Sequence, residues 1–246
     1  MGRVKYKSTA KNEWDERTSL IKPQKAGLPF FHEVVTQHIG KVKGQTCIEL
    51  GAIPGNYLVY FARLGYKITG LDFAKNKDKF VETMKINRQR DYNFISSDIG
   101  TFQSAEQYDL VTSFGFIEHF EDLEDILGRH YKLAKPGGLI LVTVPNFRYI
   151  QWLYHRIFDN KNLAIHNIDA MRIRRVDGIL KGLGATKIVA GVYGQPDFWY
   201  EDPWRDSLLA SFRNKATHIL KKIFRYNQGG KLTAPYTIYL YRKGKD

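Results

Sequence analysis

The stretch Thr46-Cys47-Ile48-Glu49-Leu50-Gly51-Ala52-Ile53-Pro54-Gly55-Asn56, followed by Lys67-Ile68-Thr69-Gly70-Leu71-Asp72, decides how this 246-residue chain is read. Thr46–Leu50 is a short apolar run stopped by Gly51, the pattern of a buried strand. Pro54–Leu64 carries Leu58, Phe61 and Ala62 at helical spacing, with Pro54 near the start and Gly65 just past the end. Lys67–Asp72 is a second strand ending in an acid. A glycine where the first strand stops lets the backbone turn sharply and approach a ligand with no Cβ in the way. An acid closing the second strand can accept both hydroxyls of a ribose. Gly51 and Asp72 lie 21 positions apart, close to the separation of roughly 20 that this geometry needs. A dinucleotide loop is poorly served, because Gly51 and Gly55 form only G-x-x-x-G and Pro54 removes a backbone donor from the helix start. The stretch therefore suits a ribose-bearing ligand without phosphates, and a nicotinamide oxidoreductase ranks last.

Outward from this stretch, strand and helix patterns alternate. Asn76–Arg88 reads as a polar helix, Asn93–Ser97 as a third strand and Tyr108–Phe114 as a fourth. A helix follows near Asp122–Ala134. Pro136-Gly137-Gly138 is a turn that opens a fifth strand, Leu139–Val144, closed by Pro145. This order means a parallel sheet with right-handed crossovers and helices on both faces. Residues 146–167 are aromatic and basic without a clear period. Residues 169–183 then look helical, Thr186–Val192 like a strand and Lys231–Arg242 like the last strand.

Composition bounds the alternatives. A chain that is 43% hydrophobic and 14% aromatic is not wholly disordered. No run approaches about 20 consecutive apolar residues, and the polar N-terminus has no secretory apolar region. The single Cys47 excludes an internal disulfide, and no His/Cys cluster has zinc-ligand spacing. A cytoplasmic protein is expected. Of the net charge of +13, residues 1–45 hold +5 and residues 201–246 hold +6, while residues 46–200 are nearly balanced. The flanks thus suit an anionic partner or a basic solubilising surface. Between residues 208 and 225, Leu208, Leu209, Phe212, Ala216, Ile219, Leu220, Ile223 and Phe224 recur at helical spacing, interleaved with Arg213, Lys215, Lys221, Lys222 and Arg225. Such a basic amphipathic helix either covers the core or docks on anionic lipid at the inner membrane surface.

Five motifs in this order resemble those of the class I S-adenosylmethionine-dependent methyltransferases. Glu49-Leu50-Gly51-Ala52-Ile53-Pro54-Gly55 is similar to the family's E-x-G-x-G-x-G loop, with Ile53 in place of the middle glycine. Asp72 matches the acid on the cofactor ribose, and Ser97-Asp98-Ile99 the step that holds the adenine. Tyr108-Asp109-Leu110-Val111 and Lys135-Pro136-Gly137-Gly138 resemble the fourth motif and the turn before strand five. The resemblance implies a Rossmann-like α/β fold: a seven-stranded, mostly parallel sheet with helices on both faces and an antiparallel last strand. It divides the chain into a basic N-terminal helical cover (1–45), the cofactor-binding core (46–200), a basic amphipathic helical insertion (201–230) and the last core strand (231–246). It implies S-adenosylmethionine as cofactor, with Glu49, Gly51, Ala52, Gly55, Asp72, Phe73, Asp98, Ile99 and Ser113 as its contacts.

For the chemistry, Gly115-Phe116-Ile117-Glu118-His119-Phe120 resembles the Glu-His pair of small-molecule methyltransferases, including the ubiquinone-biosynthesis O-methyltransferases. His119 is a candidate general base, and His166 matches a histidine several of these enzymes carry before the next helix. The same positions also suit loop packing. Gly115 stands where those relatives have a further acid that helps bind a divalent metal, so no metal is expected. Asn146–Asn167 is the expected substrate lid, with Tyr149, Trp152, Tyr154 and His155. Tyr193, Phe198, Trp199 and Tyr200 could wall the acceptor, or pack the core. Trp14 and Arg17 precede the sheet where this family often covers its cofactor. The expected activity is methyl transfer to an oxygen, with nitrogen second, of a small or lipid-linked molecule. Ser113-Phe114-Gly115-Phe116 lacks the D/N-P-P-Y/F pattern of nucleic-acid amino methylation, so nucleic acid is not expected as a partner. RNA methylation, motivated by the basic flanks, and an inactive cofactor-binding accessory subunit are the alternatives.

Overall fold

A computed structural model describes residues 5–7, 11–198, 208–224, 230 and 232–245. Seven strands form one sheet in the order β3-β2-β1-β4-β5-β7-β6. The first four are β1 (Thr46–Leu50), β2 (Lys67–Asp72), β3 (Tyr92–Ser96) and β4 (Tyr108–Phe114). They are followed by β5 (Ala134–Pro145), β6 (Ala185–Tyr193) and β7 (Tyr236–Lys243). Strands β1 to β5 are all parallel, while β7 runs antiparallel to both neighbours. The order reverses between β1 and β4. That leaves a crevice at the carboxyl ends of these two strands, where helices depart to opposite faces.

Strand alternation divides the core into two layers. Ile48, Leu50, Val111, Ile140 and Val142 face one way, onto Leu123, Ile126 and Leu127 of α5 (Leu123–Leu133) and Val176 and Leu180 of α8 (Ile173–Gly182). Cys47, Leu110, Leu139 and Leu141 face the other, onto α2 (His32–His38), α3 (Asn56–Arg63) and α4 (Lys77–Ile86) through Val34, Val35, Leu58, Phe61, Phe80 and Met84. Each such side chain, removed from water, contributes about 1.5–3 kcal/mol.

Several boundaries differ from the sequence reading. Strand β5 begins at Ala134, running through Lys135-Pro136-Gly137-Gly138 with a register shift opposite Tyr108/Leu110. The close-packed Gly138 permits this, since a Cβ there would meet the Lys135 carbonyl oxygen at 2.9 Å. The last strand starts at Tyr236 rather than Lys231, because residues 232–233 form a turn. The aperiodic stretch 146–167 contains two short helices, α6 (Ile150–Phe158) and α7 (Asn160–Ile165). Ahead of the sheet lies α1 (Lys11–Leu20), and between β6 and β7 lies α9 (Leu208–Phe224). On α9, Ala210, Arg213 and Thr217 are buried, whereas Phe212, Ile219 and Ile223 are exposed. Much of the apolar stripe thus points away from the sheet, and the helix is anchored partly by Thr217, whose Oγ1 lies 2.7 Å from the Tyr154 hydroxyl of α6. Trp199, Tyr200 and Arg225 lie outside the described residues.

Candidate active site

The loop after β1 is shaped by two glycines in left-handed backbone. Gly51 (φ 74°) turns the chain where Phe116 packs so closely that a Cβ would lie 2.6 Å from its ring. Gly55 (φ 96°) caps α3, and a Cβ there would strike Met84 and Phe80 at 2.7 and 2.8 Å. Gly55 is therefore required by the α4 packing as much as by a ligand. Ala52 is buried against Gly70, its Cβ 3.0 Å from where a Cβ on that glycine would stand.

Asp72 ends β2 and is buried. Its Oδ2 accepts from the Ile53 N–H at 3.1 Å and its Oδ1 from the Ala74 N–H at 2.9 Å. Burial nevertheless raises its pKa against those two donors. Each carboxylate oxygen retains acceptor capacity for a hydroxyl. Ile53, standing at the middle-glycine position, thus contributes its backbone to hold the acid. Glu49 is also buried, and burial together with the charge of Asp72 holds its carboxyl well above the usual range. Its Oε2 has no hydrogen-bond partner among the described residues. An ammonium group placed there would relieve both conditions.

Three connected spaces surround this crevice. A compartment of about 370 Å³ is lined by Glu49, Gly51 and Gly55. A second of about 130 Å³ is lined by Tyr6, Trp14, Asp72 and Phe73. Both share Phe114 with a cleft of about 790 Å³ that reaches Glu118, His119 and His166. Of the residues proposed from sequence as cofactor contacts, Glu49, Gly51, Gly55, Asp72 and Phe73 are brought together around the first two spaces. Asp98, Ile99, Ala52 and Ser113 are not among their lining residues. Ser113 is fully buried, its hydroxyl 2.9 Å from His130 Nε2. His130 Nδ1 faces the Ile126 carbonyl, which can only accept, so Nε2 is the acceptor and Ser113 donates to it. Asp98 accepts from Tyr6, and Ile99 is held by the buried Arg129, which donates to the Ile99 carbonyl at 2.9 Å and to Asp125 at 3.0 Å.

The cleft ends at a polar group built by two elements far apart in sequence. Ile117–His119 forms a single 3-10 turn after β4, and His166 follows α7. The rings of His119 and His166 lie 4.6 Å apart, and Trp14 stands edge-on to His119 at 4.6 Å. Asn167 ties the two segments by donating its N–H to the Glu118 carbonyl at 2.6 Å. Burial, the neighbouring His166 and the charge of Arg17 hold His119 well below the ordinary histidine value. Burial lowers His166 to about 4. His166 Nδ1 faces the Asn162 carbonyl, so Nδ1 carries the proton and Nε2 keeps its lone pair. Glu118, buried, is raised to about 8 and is a neutral acid at pH 7. The group therefore offers two unprotonated imidazoles beside one proton donor.

Glu118, His119 and His166 each place a donor atom within 4.8 Å of the others. Two imidazoles with free lone pairs beside one carboxyl are also a donor set that a divalent cation can use. No step below runs through a metal.

The lid contributes differently from the sequence expectation. Asp159, Lys161, Asn162, Ile165 and His166 line the cleft, whereas Tyr149 and Trp152 are exposed and Tyr154 and His155 are buried behind it. Phe198 packs on Tyr154 and Phe224, and the Tyr193 hydroxyl donates to Glu33 at 2.8 Å. Phe30, Tyr57 and Tyr236 line the cleft instead, with Phe30 stacked on Tyr236 at 3.9 Å. Phe30 and Tyr6 precede the first strand, where motif spacing carries no signal for them.

A family model described as a methyltransferase domain matches residues 19–180. Among curated proteins, the chain is similar to the ubiquinone biosynthesis O-methyltransferases of Bordetella avium (26% identity, 58% of this chain and 59% of that protein) and Idiomarina loihiensis (26%, 61% and 62%). The match thus spans about three fifths of the length of these relatives. Among solved structures, it is similar to the N-methyltransferase NodS of Bradyrhizobium japonicum WM9 in complex with S-adenosyl-L-homocysteine (TM-score 0.56, 15% identity, 95% of this chain and 98% of that one). It is also similar to phosphoethanolamine N-methyltransferase 2 of Haemonchus contortus in complex with S-adenosyl-L-methionine (0.57, 15%, 86% and 51%). With the family model matching about two thirds of its length, the chain belongs to the methyltransferase-domain family and carries the Rossmann-like fold of its S-adenosylmethionine-dependent members.

Proposed function

We propose that this protein transfers the methyl group of S-adenosylmethionine to a hydroxyl oxygen of an apolar acceptor held in the large cleft. The reading is carried by one observation: the space over Asp72 and the space over Glu49 both share lining residues with a cleft that also reaches His119 and His166. In this reading Asp72 accepts from the ribose diol, and the orphaned Glu49 Oε2 receives the amino group of the methionine end. When bound, the cofactor supplies a methyl group on a sulfonium, which leaves as a neutral thioether.

The chain's own residues then have three tasks. Gly51 lets the backbone come close to the ligand. Phe30, Tyr57 and Tyr236 orient the acceptor and exclude water. His119 or His166 accepts the hydroxyl proton as the new oxygen–carbon bond forms; both are unprotonated at neutral pH. The names of the curated relatives support an oxygen acceptor attached to a lipid.

The exposed faces of α6 and α9 support delivery of that acceptor from an anionic membrane. Trp152, Leu153 and Ile157 on α6 and Phe212, Ile219 and Ile223 on α9 are exposed, with no acid in either helix. The helices are joined by Tyr154–Thr217 and by Phe158 and Phe212, whose rings lie 6.1 Å apart. Helix α6 leads straight into α7, which walls the cleft. No helix among the described residues is long and apolar enough to cross a membrane.

Incubation with methyl-labelled S-adenosylmethionine and a panel of phenolic and catecholic lipids tests the reading. Wild type is expected to label an acceptor oxygen, and a His119→Asn/His166→Asn pair to lose about 10²–10⁴-fold in kcat, the usual scale for a lost general base. Labelling only of RNA, or of no acceptor by a cofactor-loaded protein, overturns it.

A further inference from the structure

Asp98, two residues past the end of β3, is the acid that the sequence resemblance places on the adenine, yet its carboxylate already has internal partners, among them the Gly100 N–H at 2.8 Å. Tyr6 donates its hydroxyl to Asp98 Oδ1 at 2.8 Å. The Tyr6 ring meets Phe73 edge-on at 5.9 Å and leans on Phe120 at 4.8 Å. A planar aromatic ring between apolar walls, with one polar hydrogen on an acid, matches what adenine and its exocyclic amine would present there. The cavity agrees. Tyr6 lines the compartment that holds Asp72 and Phe73, whereas Asp98 and Ile99 do not reach it. At about 130 Å³ this compartment is the smallest of the three spaces around the crevice.

Among the described residues, the backbone of residues 5–7 is held along one edge. It forms one isolated bridge, Tyr6 to Phe120. That bridge consists of two bonds, from the Lys7 N–H to the His119 carbonyl at 2.9 Å and from the Glu121 N–H to the Lys5 carbonyl at 3.0 Å. Lys7 Nζ also donates to the His166 carbonyl. An edge contact of this size can be exchanged for a ligand.

We propose that Tyr6 is an internal stand-in for adenine, which closes the base subsite until the cofactor displaces it. The proposal rests on the S-adenosylmethionine reading above. Displacement moves Tyr6 off Asp98 and carries Lys7 away from the backbone carbonyls of His119 and His166. Because the closed form must open before binding, the apparent affinity is lowered by the open fraction.

Calorimetric titration with S-adenosylhomocysteine tests this on wild type, Tyr6→Ala and Tyr6→Phe. Tyr6→Ala is expected to bind about ten-fold tighter, since the competitor is gone. Tyr6→Phe keeps the ring but removes its hydrogen bond to Asp98, and should fall between. Equal or weaker binding by a folded Tyr6→Ala overturns the proposal and makes Tyr6 a wall of the site. If Tyr6→Ala does not fold, hydrogen exchange on the wild type decides. Saturating ligand should speed exchange of the Lys7 and Glu121 amides; protection or no change overturns the proposal. Absence of binding by wild type and both variants instead removes the cofactor reading itself, and this proposal with it, whereas binding by Tyr6→Ala alone supports the gate.

Discussion

At the scale of single residues, Asp72 is held in place before any ligand arrives, because the Ile53 and Ala74 amides already clamp its two oxygens. Replacing it by Ala should cost about 1.5–3 kcal/mol of S-adenosylhomocysteine affinity, the scale of hydrogen bonds to a charged group. Calorimetry on a variant with unchanged circular dichroism checks this, and undiminished affinity would remove Asp72 from the ribose contact. Glu118 makes a second, pH-dependent prediction. Below its ordinary value near 4.5 the carboxyl is protonated in folded and unfolded chains alike. As pH rises towards about 8, the unfolded chain ionises this group while the folded chain keeps its proton, so stability falls. Glu118→Gln keeps the neutral shape. It should match wild type at pH 4 and be more stable at pH 8, the gap growing by up to about 1.4 kcal/mol per pH unit in urea unfolding. An equal difference at both pH values would show that Glu118 is ionised in the fold.

At the scale of elements, α5 fixes the far side of the site. Asp122 caps it by accepting the Asp125 N–H at 2.9 Å, which satisfies one of the free donors of the first turn. From this helix Arg129 reaches the Ile99 carbonyl and so positions the loop bearing Asp98. Asp122→Ala should cost about 1 kcal/mol of stability, read as a lower denaturation midpoint with an unchanged slope. The α6–α9 pair predicts a different measurement. The protein should float with vesicles containing phosphatidylglycerol and not with phosphatidylcholine alone, and Ile219→Ser/Ile223→Ser should reduce flotation without lowering the melting temperature. Equal recovery with both vesicle types would assign the exposed face elsewhere. The short helices α6 and α7 were illegible in the sequence because their buried positions include the polar Gln151, His155 and Asn162, while the apolar Trp152, Leu153 and Ile157 are exposed. Polar groups buried in pairs, such as His155 with Asp159 at 3.3 Å, replace the stripe.

At the scale of the whole molecule, a ligand that binds only the folded chain stabilises it by mass action. S-adenosylhomocysteine at about 100 times its Kd should add about 2.7 kcal/mol and raise the melting temperature by about 5–10 °C, with no effect from NAD. A shift with NAD instead would return the crevice to a dinucleotide. The alternation of strand and helix, the glycine bend after β1 and the acid ending β2 were determined by the sequence alone. They depend on periods of 2 and 3.6 residues and on backbone angles that only glycine tolerates, all of which are local. The tertiary structure alone decided which side chains meet. It brought His166 beside His119 from 47 positions away, turned Ser113 towards His130, and set Tyr6 on Asp98. Those encounters arise from how helices and the N-terminal segment pack over the sheet, where partners are chosen by burial and hydrogen bonding across long separations, and such choices leave no period in the chain.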